Sequence, residues 1–163
     1  MNIKSLWNKW REVIMYLIFG VLTTVVGIGT YTLIFAIAEH VLRLDLSNKT
    51  GALYLTVYTA AQIIHWIAAV LFAFFTNKKW VFTDARPEPL WRQLSTFAAS
   101  RLVTLGLDVV ITYLGVLAFA ALWPNGLTIL ITMSPEFLAK VAASIVVIIG
   151  NYVLSKLFVF KKK

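Results

Sequence analysis

Charge is scarce in this chain. Of its 163 residues only 13% are Asp, Glu, Lys or Arg, about half the share usual in soluble domains. Cysteine is absent, which excludes disulfides and thiolate metal sites and leaves the redox compartment unreadable. There is no Gly-rich phosphate loop, metal-ligand cluster or nucleophile constellation. His40 and His65 are too isolated for a metal site. No soluble segment is long enough for a sugar-nucleotide domain. The expectation is a protein without cofactor, metal or catalytic chemistry. Apolar residues are what the chain has in excess. Hydrophobic side chains make up 60%, against about 45–50% in soluble domains. A soluble domain of this size must leave much of its surface wet, and so much apolar content with so little charge also excludes disorder. The remaining class is an integral membrane protein. The net charge of +8 then reports orientation rather than nucleic-acid binding.

A membrane-spanning helix needs about 20 mostly apolar residues. Val13 to Ala38 and Gly51 to Thr76 contain no Asp, Glu, Lys or Arg. A third span is expected over Leu94 to Leu122, with Arg101 and Asp108 inside it. A fourth is expected over Phe137 to Leu157 and contains Lys140. Trp123-Pro124-Asn125-Gly126 is a turn signal. Leu127 to Met133 is apolar but too short to cross, so it lies at the outer interface or continues a neighbouring helix. Val41 to Leu46 alternates apolar and polar residues, and Ala52 to Val57 is strand-compatible, so a short outer hairpin and an interfacial helix-loop are both open.

Basic residues set the orientation. Lys4, Lys9 and Arg11 lie near the N-terminus. Lys78, Lys79, Arg86 and Arg92 lie between spans two and three. Lys156 and Lys161 to Lys163 lie at the C-terminus. The other two loops are poor in Lys and Arg. Both termini and the middle loop are therefore expected in the cytoplasm. Trp7, Trp10, Trp80, Trp91 and Trp123 fall near span ends, as an interfacial aromatic belt requires.

The chain also repeats itself. Asn77-Lys78-Lys79-Trp80-Val81-Phe82 closes span two, and Ser155-Lys156-Leu157-Phe158-Val159-Phe160 closes span four, at an offset of 78. Tyr16 with Thr23 in span one matches Phe97 with Thr104 in span three, at an offset of 81. The expected architecture is all-α: one membrane domain over 1–163, built as two parallel two-helix hairpins of about 12–83 and 90–161. Transporters commonly place substrate at the interface of such repeats. The plainer reading of each Lys-aromatic tail is an interfacial anchor.

Ionisable residues inside a span cost about 2.5–3.5 kcal/mol each at the centre and usually face protein or a wet cavity. Arg101 lies roughly 9 Å, and Asn151 roughly 7–8 Å, from the cytoplasmic edge of their spans, reckoned from helix rise. Lys140 lies one turn inside the outer edge. One cationic station thus serves each leaflet. Snorkelling is the plainer reading for both, and interhelical hydrogen bonding for Asn151. Asp108 pairs with Lys140 or with His65.

Taken together, the Asn-Lys-x-Trp-Val-Phe tail, Phe97-x-x-x-Arg101, and Lys140 with Asn151 resemble the GtrA-like family of small four-span proteins. The resemblance covers Tyr16 to Phe160. It implies translocation of a polyprenyl-phosphate-linked sugar to the outer leaflet of a bacterial cytoplasmic membrane, where membrane glycosyltransferases use it for cell-envelope glycosylation. It implies substrate contacts from Arg101, Lys140, Asn151, Asn77, Lys78, Phe97 and Phe82, and a homodimer is compatible with so thin a wall of helices. Many members carry an Asn one turn before the first tail; here the position is Ala73, so the first copy has the weaker polar face. Two rivals are a non-transporting subunit that assembles a glycosyltransferase and a small-molecule exporter. Exporters of that size usually carry a membrane-embedded Glu in span one, which is missing here.

Reactive labels at Lys163 and in the 84–88 loop are expected to be accessible only from the cytoplasm, and labels near Asn48 only from outside. Outside labelling of the middle loop would reverse the orientation.

Overall fold

A computed structural model describes residues 3–123, 127–128 and 132–161. The turn expected at Pro124 to Gly126 falls outside them, as do Lys162 and Lys163. The chain is helical: α1 Ile3–Ala36, α2 Ala52–Thr76, α3 Leu90–Leu122 and α4 Pro135–Leu154. Among the described residues these are the four helices long and apolar enough to cross a membrane. They form two compact units, residues 1–83 and 84–163. In the first, α1 packs along α2; in the second, α3 packs along α4.

The helices outrun the apolar stretches that nucleate them. Helix α1 begins ten residues before Val13. Helix α3 begins at Leu90, directly after Pro89, because a proline with extended backbone is a natural helix boundary. Helix α4 begins with Pro135 in its first turn, and the Ser134 hydroxyl accepts a hydrogen bond from the Phe137 N–H at 3.3 Å, an N-terminal cap.

Two short segments that the sequence left open take definite form. Ala52 to Val57 is the start of α2, not a strand. A 25-residue apolar run satisfies all its backbone groups at once only as a helix. The loop before it is held by local bonds instead: Asp45 Oδ1 accepts from the Ser47 N–H at 3.0 Å, and Asn48 Oδ1 from the Thr50 N–H at 3.2 Å. The small hairpin is elsewhere, at β1 Leu127–Thr128 and β2 Thr132–Met133, antiparallel with Leu127 opposite Met133. Leu127–Thr128 and Thr132–Met133 therefore do not extend a helix.

Helices α2 and α4 each end in one turn of π-helix, Asn77–Val81 and Ser155–Val159. The closing bonds are identical: Phe82 N–H to Asn77 O and Phe160 N–H to Ser155 O, both 2.8 Å. A similar turn, Ile37–Val41, ends α1. The wider turn drives Phe82 and Phe160 inward, and both are buried. Phe82 meets Tyr16 at 6.4 Å between ring centroids, and Phe160 meets Phe97 at 6.1 Å. Thus the two copies of the repeated hexapeptide make the same local structure, each locked to the first helix of its own unit.

Large apolar residues are mostly on the outside. Val21, Ile28, Val109, Leu114 and Ile149 are all well exposed, and the apolar residues of α3 spread around its whole circumference. Such a surface suits lipid, not water. Helix pairing is set by small residues. A Cβ added at Gly115 would stand 3.0 Å from Ala139 Cβ and 3.3 Å from Ala139 Cα. At Gly106, on the same helix, it would meet no described atom within 4 Å.

Gly115→Ile is therefore expected to force α3 and α4 apart, at a cost of about 1–3 kcal/mol, while Gly106→Ile stays close to wild type. Thermal unfolding of the two variants in the same detergent compares them directly; equal midpoints would show that Gly115 is not a packing site.

Candidate functional site

The second unit gathers the polar side chains. Arg101 lies eleven residues into α3, so ~16 Å along the helix. Its guanidinium carbon sits 4.5 Å from the centroid of the Phe97 ring, one turn back. The ring face offers the cation an electrostatic partner where water is scarce. Phe97 is itself fully buried and touches Phe160. One turn further on, the buried Thr104 hydroxyl donates to Asn151 Oδ1 of α4 at 2.7 Å. Gly150 lies against the same threonine: a Cβ there would meet Thr104 Cγ2 at 3.7 Å, an ordinary packing distance. The Phe97, Arg101, Thr104 and Asn151 side chains thus follow one another on the α3–α4 seam.

The second polar element is an ion pair between Lys140 and Asp108. It links α4 to α3 across 32 residues of sequence. Lys140 is the sixth residue of α4, near the end opposite the π-turn. It is not a bare cation: its charge is shared with a carboxylate, which lowers the cost of carrying both into the membrane. Of the two partners open to Asp108, the structure places Lys140 beside it. His65 belongs to the first unit, where its ring stands edge-on to Tyr31 at 5.9 Å and its Nδ1 lies 3.1 Å from Ala61 O.

Asn77, Lys78 and Phe82 are all in the first unit's π-turn region. Asn77 and Phe82 are buried. Lys78 Nζ lies 5.8 Å from the Phe74 ring centroid. The second unit repeats that contact, with Lys156 Nζ 5.1 Å from the Tyr152 centroid and donating to the Tyr152 hydroxyl at 2.9 Å. Arg11 donates to Trp80 O at 3.3 Å, and Trp80 stacks on Phe19 at 5.1 Å. These contacts tie the tails to their helices, so they serve as anchors whatever else they do.

The two units share a scaffold and differ in polarity. By the repeat offsets of 81 and 78, Arg101 corresponds to Gly20, Asp108 to Gly27, Lys140 to Gln62 and Asn151 to Ala73. Thr104 corresponds to Thr23, whose hydroxyl only bonds back to Phe19 O at 2.7 Å. Sequence reasoning passed over Thr104 as a repeat marker; its role depends on α4 presenting Asn151. Among the described residues no group of His, Asp or Glu side chains is arranged to hold a metal.

Four apolar spans, with few charged side chains within them, define a small multi-pass membrane protein. The chain belongs to the GtrA/DPMS transmembrane-domain family, which it matches over residues 15–160. It is 32% identical over 162 residues to the cell wall teichoic acid glycosylation protein GtcA of Listeria monocytogenes serovar 1/2a, covering 96% of this chain and 89% of that relative. It is 34% identical over 155 residues to GtcA of Listeria innocua serovar 6a, covering 93% and 86%. It is 33% identical over 150 residues to the membrane protein YwcD of Bacillus subtilis, covering 91% and 95%. No solved structure matches.

Asp108→Asn is expected to lower folded yield and stability by about 1–2 kcal/mol, since it leaves an ammonium unpaired inside a span. Reversing both charges, Asp108→Lys with Lys140→Asp, should recover most of the loss. Detergent-solubilised unfolding midpoints of the two variants test this, and a single variant as stable as wild type would deny the pair a structural role.

Proposed function

We propose that this protein carries a polyprenyl-phosphate-linked sugar from the cytoplasmic to the outer leaflet of a bacterial cytoplasmic membrane, for a separate membrane glycosyltransferase to use in decorating the cell envelope. The relatives' naming for teichoic acid glycosylation supports the biological setting. The observation that carries the mechanism is Arg101: a guanidinium deep in an apolar helix, backed by an aromatic face and beside the Thr104–Asn151 bond.

A phosphate entering the membrane loses its water, and that loss must be offset by donors of opposite charge. Arg101 supplies a planar fork that can make two parallel hydrogen bonds to phosphate oxygens. The N–H groups of the Asn151 side-chain amide add neutral donors. Lys140 is the second station, towards the other end of the α3–α4 seam. While the site is empty, Asp108 keeps it neutral. An arriving phosphate competes with Asp108 for the ammonium, so the lipid gains a cation without the empty protein carrying a bare one. With both termini in the cytoplasm and the units as parallel hairpins, Arg101 serves the inner leaflet and Lys140 the outer. The protein makes and breaks no covalent bond; it moves a lipid.

Transport is read in proteoliposomes as the transfer of a labelled polyprenyl-phosphate hexose from the reagent-protected to the reagent-accessible leaflet. Arg101→Ala should reduce the rate at least tenfold, and Arg101→Lys should recover little because an ammonium cannot reproduce the fork. Lys140→Arg should keep most of the rate, whereas Lys140→Ala should bind the lipid and stall. Wild-type transport by Arg101→Ala at equal membrane abundance would remove the phosphate station. Loss of glycosylation in cells without loss of transport would favour an assembly subunit.

A further inference from the structure

The first unit carries a second polar feature that the phosphate route leaves unused. On α2, Tyr54, Tyr58, Gln62 and His65 recur at intervals of four, four and three, which puts them on one helix face. Tyr31 and Phe35 of α1 complete the cluster. Tyr54 stacks on Tyr58 at 6.2 Å and meets Phe35 at 5.9 Å. Tyr31 meets Phe35 at 5.0 Å, and stands edge-on to Tyr58 at 6.4 Å and to His65 at 5.9 Å. Lys49 caps the loop end of the strip, 4.7 Å from the Tyr54 centroid. From Tyr54 to His65 the strip runs eleven residues, ~16 Å along the helix.

These rings are not sealed inside the protein. Tyr58 is 38% exposed, and Tyr31, Tyr54, Gln62 and His65 are half-buried. Gln62 Nε2 donates to the Tyr58 hydroxyl at 2.9 Å. The Tyr31 and Tyr54 hydroxyls bond to no described residue. If His65 Nδ1 donates to Ala61 O, Nε2 is left as an acceptor. A row of unmet hydroxyl, amide and imidazole groups inside a span is costly unless a polar ligand or water meets it.

The geometry points to a binding track for the sugar ring of the transported lipid, and this rests on the proposed function. A pyranose has a flat C–H face edged by hydroxyls. The strip offers the partly exposed rings of Tyr31, Tyr54 and Tyr58, edged by hydroxyl, amide and imidazole groups, which is the complementary arrangement. The ligand it suits is uncharged: apart from Lys49 at the rim, no Lys, Arg, Asp or Glu lies in Val13 to Ala38 or Gly51 to Thr76.

The test uses the full chain in lipid nanodiscs free of glycosidic detergent. The probes are farnesyl phosphate and farnesyl phosphate bearing glucose, galactose or N-acetylglucosamine, with Kd read by native mass spectrometry. Wild type should prefer at least one glycosylated probe by tenfold or more. Tyr58→Phe, which keeps the ring, and Gln62→Leu should each reduce that preference several-fold, and the double variant should abolish it with farnesyl phosphate affinity unchanged. Arg101→Ala should weaken both probe types alike. Absence of a sugar preference in wild type, or equal weakening of both probes by the strip variants, would overturn the track; the first result would indicate that the strip holds only water, the second that it is packing for the helix pair. Loss of the preference in the strip variants with unaltered phosphate binding in Arg101→Ala would keep the track and remove the phosphate station.

Discussion

Hydrocarbon supplies no hydrogen-bond partner, so each polar group carried into a span must be met by the protein or its ligand. The rest of this structure depends on that constraint. Backbone groups are met by four long helices. Hydroxyls within the helices largely bond back to the preceding turn: Thr24 to Gly20 O, Thr56 to Ala52 O, Thr76 to Phe72 O and Ser144 to Lys140 O. Asp108 and Lys140 meet each other. Among the described residues, the buried side-chain oxygens without a partner are those of Thr112 and Ser155. The polar groups that remain half-exposed on the helix faces are therefore informative, because a span has no reason to carry them idle.

The same constraint explains why the helix ends are built as they are. A π-turn keeps the backbone hydrogen-bonded while redirecting the chain, and it turns Phe82 and Phe160 back against Tyr16 and Phe97. Lysines then reach outward from the turn along aromatic rings. In the second unit the chain beyond the turn is tied down as well, with the Arg86 N–H donating to Lys161 O at 2.7 Å. These contacts tie each copy of the repeated hexapeptide to the helices of its own unit.

The two units end in the same π-turn and carry different polar side chains. Where the first copy has Gly20, Gly27, Gln62 and Ala73, the second has Arg101, Asp108, Lys140 and Asn151. A glycine allows close packing; Gly27 faces His65 Cδ2 at 3.6 Å and Ala69 Cβ at 3.7 Å. A charged residue at the matching place requires a partner from the neighbouring helix, and α4 provides Lys140. The two units therefore differ along the helices and agree at the π-turns that end α2 and α4.

Composition and spacing alone determined that the chain crosses a membrane four times, because runs such as Val13 to Ala38 have no stable alternative in water. They also exposed the repeated tails, since a six-residue pattern is visible without a fold, and they singled out Arg101, Lys140 and Asp108, since charge in an apolar run stands out. Helix boundaries were less legible: α3 and α4 extend past their apolar runs under the control of Pro89 and Ser134. The segments around 41–57 were left open between hairpin and helix-loop, because Ala52 to Val57 suits a strand locally and becomes helix only through the long run it opens. Only the tertiary structure decided which polar residues meet. Thr104 and Asn151 are 47 residues apart, Asp108 and Lys140 are 32 apart, and the tyrosines of α1 and α2 join one strip only once the helices pair. Such contacts depend on the rotation of each helix about its axis, which is set by close approaches such as Gly115 on Ala139 and is not written in any single stretch of sequence.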